Sequence, residues 1–267
     1  MSSSTSSTTD TGKKYHNTTN GEALKTVKEH QGPADLTLFA GCFCPFVQRV
    51  WIALEYLEID YQYCMRSLRN EVDPYKKPDD LVAVSPKGLI PAIKLNNTNP
   101  PRALCENARY LLRHQTYHIN RSVIPSFYRY LQAQNSNDQI ENGKSFLESI
   151  IQLIKMFESS EDVLRDADSP GLWGSLGTSQ PQTLNWADVM VAPWLFRATN
   201  VLKHYRGFQF PPSTKFQEYL DRLLNHPCVK RTCSDLDLYL DSYERYAFNR
   251  PNTSQVANAI NSGKELP

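Results

Sequence analysis

The hydrophobic positions of this 267-residue chain change period abruptly near residue 40. Leu36-Thr37-Leu38-Phe39 is a short apolar run closed by Gly41, which predicts a strand over Asp35 to Ala40. Beyond it, Val47, Val50, Trp51, Leu54 and Leu57 fall at i, i+3, i+4, i+7 and i+10, one stripe of an amphipathic helix predicted from Pro45 to Glu58. Pro45 sits in the first turn, where its missing N–H removes nothing the helix would use. Tyr61 to Met65 reads as a second strand rich in β-formers. Asp73 to Pro78 is a polar turn region, and Asp79 caps a short helix to about Val84. After the Gly88 break, Ala92 to Leu95 and Ala103-Leu104 supply a third and a fourth strand, separated by an Asn- and Pro-rich loop.

From Ala108 onward the strand pattern stops. Ala108 to Gln134 predicts a long helix, kinked or split at Pro125 because a proline lacks the N–H the helix needs. Gln139 to Phe157 predicts a second helix, with Ile140, Phe146, Leu147, Ile150, Ile151 and Ile154 as its apolar stripe. Glu158 to Gln182 is a Ser-, Gly- and Asp-rich connection. Asn185 and Asp188 have the spacing of a capping box, and the helix they open is apolar nearly all round, the mark of a central buried helix. Two more helices are predicted at about Thr214 to Leu224 and Leu236 to Tyr246. Residues 1–20 are mostly Ser, Thr, Asn and Gly without an apolar period, so disorder is expected there.

Composition narrows the function. With 29 basic and 28 acidic residues, net charge is +1, and no strong case remains for nucleic acid or an anionic membrane surface as partner. No apolar run approaches the ~18 residues of a membrane span, and no secretory leader is legible. Six cysteines in a chain of this size do not read as a disulfide scaffold, so reduced thiols and a cytoplasmic setting are expected.

One of those thiols stands out. Cys44 falls at the N-terminal lip of the first predicted helix, facing unpaired backbone N–H groups and the positive end of the helix dipole. That position favours the thiolate and so makes a nucleophile. The competing reading is a buried packing cysteine. Cys42 forms a C-x-C with Cys44, which is neither the C-x-x-C of redox dithiols nor a zinc set. Cys64, Cys105, Cys228 and Cys233 read as packing residues.

Cys44-Pro45-Phe46-Val47-Gln48-Arg49, preceded by a strand, resembles the omega class of glutathione S-transferases, with fungal members the most similar. The resemblance runs on through Ser85 to Ile93, Asn185-Trp186-Ala187-Asp188, Pro193 to Arg197 and Tyr246-Ala247, over roughly residues 35 to 263. It implies the glutathione transferase fold, an α+β thioredoxin-like N-terminal domain followed by an all-α domain. The corresponding division is 1–34 as disordered tail and lead-in, 35–107 as the glutathione-binding domain, 108–250 as the helical domain and 251–267 as a tail.

The resemblance further implies glutathione as co-substrate and Cys44 as the catalytic residue, with reduction of glutathionylated proteins, dehydroascorbate or S-conjugates. Phe46, Lys77, Ile90, Pro91, Glu106 and Asn107 would bind glutathione. Pro91 would be cis, with the backbone of Ile90 pairing to the cysteinyl part, and Lys77 would meet the glycyl end. Trp194 and Arg197 would line the hydrophobic substrate pocket, for which the rival reading at Trp194 is core packing. No metal is expected, and a homodimer is, as in many members. Leu104-Cys105-Glu106-Asn107 departs from the family's Glu-Ser pair, and about two dozen residues after it look deleted. That break keeps two alternatives open, a ligand-binding protein without turnover and an inactive deleted variant.

Overall fold

The computed structural model describes residues 15–64, 79–97, 102–105, 114–159, 171–177 and 183–267. Its first element, α1 (Gly21–Glu29), is not predicted by the apolar period. Then follow β1 (Leu36–Phe39), α2 (Pro45–Tyr56), β2 (Gln62–Cys64), α3 (Asp79–Val84), β3 (Ala92–Leu95) and β4 (Arg102–Cys105). The sheet order is β2-β1-β3-β4, with β1 and β2 parallel and the other neighbours antiparallel. Three of the four β1 residues are buried, because both faces of the strand are covered. On one face Leu38 and Ala40 pack with Val47, Trp51, Tyr63 and, from α1, Ala23 and Val27. On the other, Phe39 meets Leu81 of α3 and Ala92.

The second domain begins, among described residues, with α4 (His114–His118), a π-helical turn at Ile119–Val123 and α5 (Ile124–Gln132). The proline at 125 therefore neither splits nor ends the helical run. It lies in the first turn of α5, directly after a π turn, whose wider spacing removes the i−4 contact that a proline ring would violate. Next come α6 (Ser136–Ser159), the single turn α7 (Gly171–Gly174) and α8 (Trp186–Arg197). In α6 the buried residues start only at Phe146, and Ile140 and Ile151, both expected on the core stripe, are exposed. Every residue of α8 from Ala187 to Leu195 is buried, as an all-apolar helix requires.

A second π turn at Ala198–Leu202 leads to α9 (Lys203–Arg206), followed by α10 (Thr214–Asn225), α11 (Pro227–Lys230), α12 (Leu236–Ala247) and α13 (Gln255–Asn261). The last of these lies in the stretch expected to be a tail. It is held to α5, where the Gln132 amide donates to the Ala257 carbonyl at 3.2 Å and to Asn261 at 3.0 Å.

The lead-in also differs from expectation from residue 15 on, while residues 1–14 lie outside the described chain. His16 donates its backbone N–H to Asp241 at 2.9 Å, and Asn20 accepts from the N–H of Asp235 at 2.8 Å. The Ala23 N–H reaches the Cys233 carbonyl at 3.1 Å, and Thr26 donates to the Arg231 carbonyl at 2.8 Å. A segment too polar to order itself by burial is ordered by hydrogen bonds to the second domain. The proposed deletion falls after β4, in residues 106–113, which are outside the described chain.

Candidate functional site

The head of α2 is shaped by three local facts. Cys44 is the N-cap residue, with extended backbone (φ −73°, ψ 117°), and its side chain makes no capping hydrogen bond to the helix. Pro45 is the first helical residue, and the Cys44 carbonyl accepts the Gln48 N–H at 3.1 Å. The Cys44 N–H folds back on the Gly41 carbonyl at 3.3 Å, a tight turn that presents the thiol at the helix lip. Cys44 is half-buried. Such a lip offers first-turn N–H groups without intrahelical partners and the positive dipole end, both favouring a thiolate. Ile90-Pro91 is a cis peptide, and Ile90 packs against the same apolar cluster as Cys44. Cysteine turn and cis-proline turn are thus neighbours.

The opposite wall comes from the second domain. Phe46 is half-buried and meets Trp194 edge-to-face, ring centroids 5.1 Å apart. The Arg49 guanidinium lies 4.2 Å from the Trp194 ring centroid, and its Nε donates to the Met190 carbonyl at 2.9 Å. Among the described residues its Nη2 is buried without a hydrogen-bond partner, and burial pushes the Arg49 pKa down to about 9. Tyr128 on α5 and Tyr243 on α12 are buried, hydrogen-bonded to each other, and within electrostatic reach of Cys44. Burial raises both phenols, so they stay neutral beside the thiol.

Trp194 and Arg197, expected to line a substrate pocket, are 0% and 1% exposed and so line no open pocket in this arrangement. Trp194 packs beneath Phe46 and Arg49, and Arg197 is spent on hydrogen bonds between the domains. Its Nε donates to the Tyr243 hydroxyl at 2.7 Å, Nη1 to Gln48 Oε1 at 2.7 Å and to the Pro193 carbonyl at 2.8 Å, and Nη2 to the Phe43 carbonyl at 2.9 Å. Lys77, Glu106 and Asn107 lie outside the described residues. Cys42 is buried, its thiol donating to the His16 carbonyl at 3.6 Å, and Cys42, Cys44, Cys64, Cys228 and Cys233 are not in disulfides.

Cys44 and Ile90 border one apolar cluster, and Phe46, two residues beyond Cys44, packs against the core of the second domain. Tyr128 and Tyr243, which also lie near the cysteine turn, carry no sequence signal of that role, because they come from helices remote in the chain. Only their place on apolar helix faces is legible.

A thioredoxin-like sheet, a cysteine at the lip of its first long helix, a cis-proline turn beside it and an all-helical second domain define the glutathione transferase fold. Residues 43–109 match the family model described as "Glutathione S-transferase, N-terminal domain". That segment is similar to the family's N-terminal domain, and the chain around it has the glutathione transferase fold. Among solved structures, glutathione transferase Omega 3C from Trametes versicolor superposes with a TM-score of 0.65 at 29% identity, covering 87% of this chain and 98% of that one. Among curated relatives, the probable glutathione S-transferase DHAR2, chloroplastic, of Oryza sativa subsp. japonica is 24% identical over 64% of this chain. The match spans only 57% of that relative's length. Glutathione S-transferase DHAR2 of Arabidopsis thaliana is 23% identical over 75% of this chain and 89% of its own length. A deletion after β4 is not confirmed by these comparisons.

Proposed function

We propose that this chain is a cysteine-dependent, omega-like glutathione transferase that acts as a thiol transferase and reductase. The observation that carries the reading is the placement of Cys44, half-buried at the N-cap of α2 beside the cis Ile90-Pro91 turn. In the first step the Cys44 thiolate attacks the glutathione sulfur of a glutathionylated substrate. The new bond is a Cys44–glutathione disulfide, and the substrate leaves as a thiolate that takes up a proton. In the second step a glutathione thiolate attacks the glutathione sulfur of that mixed disulfide. Glutathione disulfide leaves, and the Cys44 thiolate is regenerated. Each step exchanges one disulfide for another, and over the cycle the glutathionyl group taken from the substrate and the incoming glutathione end joined as the disulfide, so the substrate thiol is reduced with no other reductant.

Cysteine suits this chemistry because sulfur forms and releases a disulfide, whereas a hydroxyl only hydrogen-bonds glutathione's own thiolate. In this reading Ile90 offers its backbone to the cysteinyl part of glutathione as an added strand, and Pro91 and Phe46 shape the walls. Lys77 and the Glu106-Asn107 pair take its two carboxylate ends. The likeness to the rice and Arabidopsis glutathione S-transferases and to the Trametes Omega transferase supports the transferase assignment.

Turnover of a glutathionylated peptide by wild type and by Cys44→Ser tests the mechanism. The expected result is loss of activity in the variant with an unchanged circular dichroism spectrum. Equal turnover by both proteins would overturn it, and a wild type that binds glutathione but never turns over would favour a binding role.

A further inference from the structure

We propose that Arg197, reaching from the second domain, is the positioning residue for the cysteine turn, an assignment that rests on Cys44 being the nucleophile. Its two anchor points bracket that residue. Nη2 holds the carbonyl of Phe43, immediately before Cys44, at 2.9 Å, and Nη1 holds the Gln48 side chain, one turn after it, at 2.7 Å. The same guanidinium is tied to its own helix at the Pro193 carbonyl and to α12 at the Tyr243 hydroxyl. Gln48 is fixed in turn by donating to the Thr232 hydroxyl at 3.1 Å and the Thr232 carbonyl at 3.3 Å. A planar fork of five donors can bridge three elements in one geometry, and an ammonium cannot.

The bridge has an electrostatic consequence. The hydrogen-bond partners of Arg197 among the described residues are a phenol, an amide and two carbonyls, so its charge is not cancelled by a carboxylate there. Among the described residues, the titratable and charged groups facing Cys44 include Arg49 from α2, Tyr128 from α5 and Tyr243 from α12. Both phenols are held neutral by burial, which leaves Arg49 as the cation among these groups, with the Arg197 guanidinium one residue away at the Phe43 carbonyl. Arg197 thus fixes the turn in the orientation that aims Cys44 at the first-turn N–H groups, and adds a positive field behind it.

The test is the pH dependence of iodoacetamide alkylation at Cys44, read by peptide mass spectrometry on the full chain. Wild type, Arg197→Gln, Arg197→Lys and Gln48→Glu are compared. In Arg197→Gln the alkylation midpoint should rise by about one pH unit and the rate at neutral pH fall severalfold to about tenfold. Gln48→Glu, which gives Arg197 a carboxylate partner, should move the midpoint the same way. Arg197→Lys should recover the midpoint better than it recovers turnover, because charge returns without the fork. Only variants with the wild-type circular dichroism spectrum are scored, and either Arg197→Gln or Gln48→Glu decides. A midpoint within about 0.2 unit of wild type in either of these two would overturn the proposal. A wild-type midpoint near the ordinary thiol value of about 8.5 would instead overturn the nucleophile reading itself, so the two failures are distinguishable.

Discussion

Asp188 is the acid on which the start of the central helix depends, and removing it has a calculable cost. It is fully buried, and its carboxylate accepts three hydrogen bonds: the Asn185 N–H at 2.9 Å, the Leu172 N–H at 3.0 Å and the Tyr219 hydroxyl at 2.9 Å. Asn185 answers by accepting the Asp188 N–H at 3.0 Å, which completes the capping box. Asp188→Ala therefore leaves three donors without their acceptor in a dry site, one of them on α10 and one on α7. Orphaned buried donors cost about 1–3 kcal/mol each, part of which relaxation recovers, so a net loss of about 3–5 kcal/mol is expected.

Acidity gives a second handle on the same residue. Burial pushes the Asp188 pKa up to about 6, partly offset by its hydrogen bonds. An acid raised in the folded state favours folding when protonated, so this contribution is present at low pH and is lost as pH rises through about 6. On going from pH 7 to about 4.5, wild type should gain about 2 kcal/mol at this position, and Asp188→Asn should not. The penalty of Asp188→Asn should then be larger by that amount at the lower pH. Urea unfolding followed by circular dichroism at both pH values measures each difference. An alanine penalty below about 1 kcal/mol, or an asparagine penalty equal at both pH values, would refute the reasoning.

Other positions test other parts of the account. Arg49→Met should be within about 1 kcal/mol of wild-type stability or more stable, because a buried cation whose Nη2 lacks a partner costs desolvation, and Met fills similar space; a thermal melt showing a loss above about 3 kcal/mol would contradict this. Gly171→Ala should destabilise by more than about 1 kcal/mol in urea, since φ is +71° and an added Cβ would stand 2.7 Å from Asp188 Oδ2. Ser254→Ala removes the cap of α13, where Ser254 accepts the Ala257 N–H at 2.9 Å, and should cost about 0.5–2 kcal/mol with faster hydrogen exchange confined to α13 and its contacts on α5.

Elements whose signal is local were legible in both domains. The apolar run Leu36 to Phe39, the stripe from Val47 to Leu57 and the Asn185–Asp188 spacing each predict an element that is present. What escaped depends on distant partners. α1 has only Ala23, Thr26 and Val27 buried, too few to stand out from a polar stretch, and its ordering comes from Arg231 and Cys233 in the second domain. The π turn that lets Pro125 stay inside a continuous helical run has no local signature. Arg197 illustrates the limit at the site. Its motif suggests a substrate-facing cation, but which carbonyl a guanidinium meets is decided by the packing of α8 on α2, and that packing turns it inward to Phe43 and Gln48.

The central claim is that the sulfur at the head of α2 exchanges with glutathione. Treating the purified chain with glutathione disulfide and mapping the adduct by peptide mass spectrometry asks this directly. The account predicts one glutathione per chain, on the peptide carrying Cys44, absent in Cys44→Ser and removed by excess reduced glutathione. An adduct distributed over the other cysteines with Cys44 unmodified would contradict it.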